Sequence, residues 1–161
     1  MSERPLTRPD IGDSIPAITL ETPEGSKLST ADFAGQPLVL FFYPKDNTPG
    51  CTTEAKDFSD LSADFASSGV AVLGISKDSP ASHLKFIAKH GLTVPLATDP
   101  ETGGLADALG IWVEKNMYGR TYMGMERTTY LIGKDGKIAQ IWRKVKVKGH
   151  AAAVLEAAQA L

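Results

Sequence analysis

The sequence predicts an α/β fold, a central mixed β-sheet flanked by helices on both faces, and three observations predict it. PLVLFFY, residues 37–43, is an unbroken apolar run of strand length, the pattern of a strand buried on both faces. From Cys51 onward the apolar residues fall at Ala55, Phe58, Leu61 and Phe65, steps of three and four that mark one face of an α-helix. GVAVLGIS, residues 69–76, is a second buried run. Together they form a strand, helix, strand unit, for which a right-handed crossover is strongly preferred.

The remaining elements follow in order. Residues 1–11, charged and holding two prolines, read as a flexible N-terminal arm, and residues 12–161 as a single domain without linker, repeat or low-complexity tract. IPAITL, from Ile15, alternates and then breaks at ETPEGS, which predicts a short peripheral strand and hairpin. Pro80 opens a second helix, PASHLKFIAKHG, closed by Gly91. VPLATD is a brief strand whose Pro95 suits an edge or strand-end position. GGLADALG gives about two helical turns.

Further on, ERTTYLIGKDGKIAQIWRKVKVKG predicts two strands joined at Lys134-Asp135-Gly136, an antiparallel pair that makes the sheet mixed. The alternating valines and lysines of RKVKVK read as the wet face of a strand, in preference to a basic recognition patch. The last helix, GHAAAVLEAAQAL, places Val154, Leu155, Ala158 and Leu161 on one docking side.

Composition narrows the function. A chain of 161 residues suits one core burying about two-thirds of its unfolded surface. A net charge of −2 gives no field to gather phosphate backbones or anionic lipid, so neither nucleic acid nor membrane is an expected partner. One cysteine permits no internal disulfide and no cysteine-based zinc cage, and His83, His90 and His150 lack metal-ligand spacing; no cofactor or metal is expected. His83 and His90 read as solvated positions on the second helix. The start, MSERPLTRPDIGD, has no apolar core and no run of eighteen apolar residues occurs, so a cytoplasmic protein is expected.

That single cysteine, Cys51, stands in PKDNTPGCTTE, a stretch too polar to read as core. It follows the carboxyl end of a buried strand by a short loop and falls in the first turn of the next helix, where open α/β sheets place their ligands. Free backbone N–H groups and the positive helix end favour an anion there, and a thiolate is an anion. An ordinary thiol, with a pKa of about 8.5, is only a few per cent ionised at neutral pH. A helix end supplies only about 0.3 to 1 kcal/mol toward the charged form, so a cation or several hydrogen bonds must add the rest. Thr48 could cap the helix or donate to whatever binds the sulfur. Several arginines could be the cation, and periodicity does not choose among them. An inert small side chain is the commoner fate of a lone cysteine, and PKDNTPG alone could be a stiff turn. Position tips the reading to a nucleophile.

Pro44, Thr48 and Cys51 in PKDNTPGC match the P-x-x-x-T-x-x-C signature of the peroxiredoxins, and YPKDNTPGCTTEA resembles their PrxQ branch, the bacterioferritin comigratory proteins. Similarity continues through EGSKLSTADFAGQPLVLFFYPKD, GLTVPLATDP, WVEKNMYGRTYMGMERTTYLIGKDGKI and WRKVKVKGH. The resemblance implies a thioredoxin-like fold and reduction of hydrogen peroxide or organic hydroperoxides. It makes Cys51 the peroxidatic nucleophile, has Thr48 hydrogen-bond the peroxide and Pro44 shield the sulfur. Arg127, in MERTTYLI, becomes the arginine that stabilises thiolate and transition state, with Glu54 orienting it.

One departure stands out. Many PrxQ members carry a resolving cysteine five residues after the first, where this chain has Lys56, or in the next long helix, where SHLKFIAKHG has none. The expected mechanism is therefore one-cysteine. A sulfenic acid on Cys51 would be reduced by an external thiol, thioredoxin, glutaredoxin or glutathione, or captured by a second Cys51, in a monomer or weak homodimer. A peroxide sensor or redox-regulated binding module without turnover is the alternative. A thiol-disulfide carrier needs a second nearby thiol that Cys51-Thr52-Thr53-Glu54 lacks.

Overall fold

Two short strands, β1 (Thr19–Glu21) and β2 (Lys27–Ser29), open the sheet of a computed structural model that describes residues 8–161. They pair antiparallel around the ETPEGS turn and form one edge of the sheet. The strand starts at Thr19, later than Ile15. Pro16 has no N–H to give, and the Pro16 carbonyl and Ile18 N–H bond instead to the Thr30 hydroxyl. Of the expected N-terminal arm, residues 1–7 lie outside the described residues; Arg8 meets Glu126 at 3.8 Å.

β3 (Leu38–Phe42) is buried at every residue. Its chain continues through α1 (Pro49–Asp60) and α2 (Ser62–Ser67) to β4 (Ala71–Ser76), which lies parallel beside it. Periodicity predicts one helix through Phe65; the structure parts it at Leu61. Asp57 and Asp60 oppose the negative end of α1, and the Ser62 hydroxyl bonds back to the Phe58 carbonyl, both of which weaken a continuous helix. Gly74 in β4 has a steric reason, since a Cβ there would stand 2.5 Å from the Phe41 ring. That ring stacks on Phe58 of α1 at 4.4 Å, so the missing side chain lets helix and sheet close together.

α3 (Pro80–His90) carries the two end signals that predict it, Pro80 first and Gly91 at φ 60, and adds a cap in which the Ser79 side chain accepts from Ser82 N–H. β5 (Leu96–Thr98) is internal, paired with β4 on one side and β1 on the other, which selects the strand-end reading of Pro95. The short α4 (Leu105–Leu109) follows, then a hairpin of β6 (Trp112–Met117) and β7 (Arg120–Met125) that sequence reasoning missed. Its signal was the Tyr118-Gly119 pair, both at positive φ, as a two-residue hairpin loop requires.

β8 (Thr128–Ile132) pairs antiparallel with β3, and β9 (Ile138–Trp142) completes the predicted hairpin around Asp135-Gly136. The sheet order is β2-β1-β5-β4-β3-β8-β9. RKVKVK forms no strand. Its valines are half-buried and its lysines exposed, as alternation demands, but Lys144 at φ 49 interrupts the extended backbone. α5 (His150–Gln159) docks through Val154 and Ala158, with Leu155 half-buried. Leu161 lies past the helix end and is 58% exposed, so it is no part of that face.

Alternation along β3 divides the core. Val39 and Phe41 face a cluster with Phe58, Phe65, Phe86 and Val154 from α1, α2, α3 and α5. Leu38, Leu40 and Phe42 face the other, with Leu105 and Leu109 of α4. A mixed seven-stranded sheet with helices on both faces is the thioredoxin-like fold the resemblance implies. Among the described residues no helix is long and apolar enough to cross a membrane.

Candidate active site

Strand register brings the arginine to the cysteine. Phe42 of β3 pairs with Thr128 of β8, so Arg127 stands beside Tyr43 at the carboxyl end of β3. Arg127 shares the side-chain parity of Thr129 and Leu131, and Leu131 packs on the α1 face. The guanidinium therefore projects toward α1, whose third residue is Cys51. Arg127 Nη2 donates to Cys51 Sγ at 3.3 Å, and Nη1 donates to Glu54 Oε1 at 2.6 Å. Cys51 and Glu54, three residues apart on one helix, share the face that the arginine meets.

Cys51 is 1% exposed and belongs to the buried cluster. The polar sequence around it predicts otherwise; the loop is polar, but the helix turns this one side chain inward. Glu54 is equally buried, and its Oε2 has no hydrogen-bond partner among the described residues. Burial pushes the Glu54 carboxyl up, to about 7, against the pull of the guanidinium. Desolvation lowers the affinity of Arg127 for its proton, but Glu54 and Cys51 outweigh it and hold the guanidinium above its ordinary range. The 2.6 Å contact sets the Glu54 carboxyl against a guanidinium that stays charged whichever form the carboxyl takes.

The model of the AhpC/TSA family matches residues 11–141. The chain belongs to the AhpC/TSA family. Peroxiredoxin Bcp of Bacillus subtilis is 45% identical over 147 residues, covering 91% of this chain and 93% of that protein. Among solved structures, peroxiredoxin Q of Xanthomonas campestris superposes with a TM-score of 0.83 at 46% identity, over 89% of this chain and 90% of that one. A structure of the Xanthomonas campestris bacterioferritin comigratory protein, studied for alkyl peroxide reduction, gives 0.84 at 42% identity, over 92% and 98%. As a peroxiredoxin the chain is a thiol-dependent peroxidase.

The other expected site residues of this peroxiredoxin are placed less uniformly. Thr48 is the N-cap residue of α1 by backbone geometry, but its side chain makes no cap hydrogen bond. Its hydroxyl instead donates to the Lys45 carbonyl at 3.0 Å, which leaves the oxygen lone pairs as acceptors. Pro44 is exposed at the start of the loop.

Three residues sequence reasoning did not assign also shape the site. A Cβ at Gly50 would come 3.3 Å from Arg127 Nη2, so glycine leaves the guanidinium its path. His150, at the start of α5, is buried with Nε2 2.8 Å from the hydroxyl of Thr129. Burial first, and the charge of Arg127 second, pull the His150 ring down to about 4, which keeps it neutral near the arginine. His83, expected to be solvated, is fully buried against Asp46 of the loop between β3 and α1. Its place on α3 beside β3 could be read only from the tertiary packing.

Proposed function

We propose that this chain reduces hydrogen peroxide and organic hydroperoxides by a one-cysteine mechanism centred on Cys51. The observation that carries the reading is the guanidinium of Arg127, which touches Cys51 Sγ at 3.3 Å while Glu54 holds its other nitrogen. The thiolate attacks one peroxide oxygen; the S–O bond forms as the O–O bond breaks, leaving a sulfenic acid on Cys51 and an alkoxide or hydroxide that takes up a proton. Negative charge moves from sulfur to the leaving oxygen, and a donor fixed beside both lowers the barrier. Arg127 is that donor. Thr48, its own proton committed to Lys45, accepts from the peroxide hydroxyl and sets its orientation. Pro44 covers the loop side, and Glu54 keeps the arginine aimed.

With one cysteine in the chain, the sulfenic acid is resolved from outside. An external thiol attacks Cys51 and expels water to give a mixed disulfide; a second thiol displaces Cys51 and regenerates it. Thioredoxin, glutaredoxin and glutathione are the candidate donors. The alkyl peroxide reduction studied in the Xanthomonas campestris relative supports including organic hydroperoxides. The test is peroxide consumption with each reductant, hydrogen peroxide compared with a bulky hydroperoxide. Turnover with at least one reductant, lost in Cys51→Ser, is expected; stoichiometric oxidation without turnover would instead favour the sensor.

A further inference from the structure

His83 is a buried titratable side chain that the peroxide chemistry leaves unused, and its partners leave little freedom for its protons. Nε2 lies 3.1 Å from the carbonyl oxygen of Ala97 on β5, which can only accept, so Nε2 carries a hydrogen. Nδ1 faces the Asp46 carboxyl, 2.9 Å from Oδ2 and 3.1 Å from Oδ1. Both oxygens already accept, Oδ1 from the Tyr43 hydroxyl at 2.6 Å and Oδ2 from the Ser82 hydroxyl at 2.8 Å. A ring already protonated at Nε2 cannot meet the Asp46 carboxyl lone pair to lone pair, so one proton lies between Nδ1 and Asp46.

We propose that His83 and Asp46 form a buried imidazolium–carboxylate pair that fastens the catalytic loop to α3, making both of them positioning residues for peroxide attack at Cys51. The inference rests on the peroxidase reading above. The titratable and charged groups facing the pair are Tyr43 at the end of β3 and Asp78 on the segment entering α3, whose Oδ2 accepts from the Asp46 N–H at 2.8 Å. Burial pulls the Asp46 carboxyl up, but the bonds from His83 and Tyr43 and the histidine charge outweigh it and hold Asp46 below the ordinary carboxylate range. Tyr43 is pushed well above its ordinary value, by burial first and Asp46 second, so it remains a donor.

The connection to the sulfur is short. α3 grips two consecutive loop residues, Asp46 through His83 and Asn47 through His90, whose Nε2 stands 2.8 Å from Asn47 Oδ1. Asn47 holds a left-handed backbone at φ 63. Thr48 comes next, closes the loop onto Lys45, and starts the helix that carries Cys51. Releasing Asp46 therefore frees the loop that orients the peroxide, without touching the Cys51–Arg127 contact.

The decisive experiment compares Asp46→Asn, His83→Gln and the double variant by two rates at Cys51: oxidation by hydrogen peroxide, and alkylation by iodoacetamide, which needs no peroxide cradle. Each single variant should oxidise roughly 10- to 100-fold more slowly, the scale of an ångström misplacement. Alkylation should stay within about twofold, and the double variant should be no worse than the singles, because the two residues act as one unit. Peroxide rates that stay at the wild-type value while the wild type turns over would overturn the inference alone. A wild type that consumes no peroxide would sink the peroxidase reading, and this inference with it. Should His83→Gln fail to fold, nitrogen NMR of the wild-type ring decides: a hydrogen on both ring nitrogens of His83 is expected, and a ring protonated at Nε2 alone overturns the proposal.

Discussion

Arg127–Glu54 and His83–Asp46 each set a basic side chain against a buried carboxyl near the loop of residues 44–48, and the two carboxyls are satisfied to different degrees. Both oxygens of Asp46 are taken, by Tyr43, Ser82 and the histidine, and its carboxyl sits below the ordinary range. Glu54 gives one oxygen to Arg127, leaves the other without a partner among the described residues, and is pushed up to about 7. A fully satisfied pair resists rearrangement, whereas an under-satisfied one stands at higher free energy and can reorganise. The first suits a lock on the loop. The second suits the proposed mechanism, in which charge shifts from sulfur to oxygen.

The strongest way to break this contrast is Arg127→Ala. It should slow peroxide oxidation of Cys51 by about a hundredfold or more, measured by stopped flow, since it removes the charge-stabilising donor. A rate within a few-fold of wild type would mean that the incomplete pair is only structural. Absence of a resolving cysteine makes a second large effect: under graded peroxide without reductant, Cys51 should proceed to sulfinic acid, and mass spectrometry showing no such product would count against a one-cysteine cycle.

Glu54→Gln sharpens the comparison through pH. The folded carboxyl binds its proton more tightly than the unfolded one, so its contribution to stability is full below about 4.5 and is lost as pH rises through about 7. His150 works oppositely. Its folded pKa is lowered to about 4 from 6.5, so its contribution is full above 6.5 and is lost as pH falls through about 4. The two slopes oppose each other between about pH 4.5 and 6.5. Glu54→Gln should therefore unmask a stability that climbs with pH across that window, read by denaturant melts, and adding His150→Asn should flatten it. The smallest effect belongs to Gly50→Ala. A methyl 3.3 Å from Arg127 Nη2 needs only a few tenths of an ångström of yielding, so a few-fold loss of peroxide rate is expected with the melting temperature nearly unchanged.

Much of this was legible in one dimension. Periodicity marks β3, β4 and the α1 face, and the capping residues mark the ends of α3, because burial on a strand or helix face repeats at fixed spacing. The break at Leu61 was hidden, since Phe58, Leu61 and Phe65 keep helical spacing across it, and their order alone does not record that Ser62 bonds backward. At the candidate site, Cys51 and Thr48 stand three residues apart and could be read together. Arg127 lies 76 residues from the cysteine and emerged only from resemblance, until the β3–β8 register set it there. His83 was misread for the same reason: nothing local to α3 says that Asp46 waits opposite it.

By itself the sequence determined the strands and helices that flank the thiol, that a single thiol is present, and that it opens a helix after a buried strand, since these depend on neighbours along the chain. Only the tertiary structure decided which cation reaches that thiol, that Cys51 is buried in spite of its polar surroundings, and that two buried carboxyls are shifted in opposite directions from their ordinary range. Those properties depend on distances between groups far apart in sequence, and the electric field and solvation at each group follow those distances.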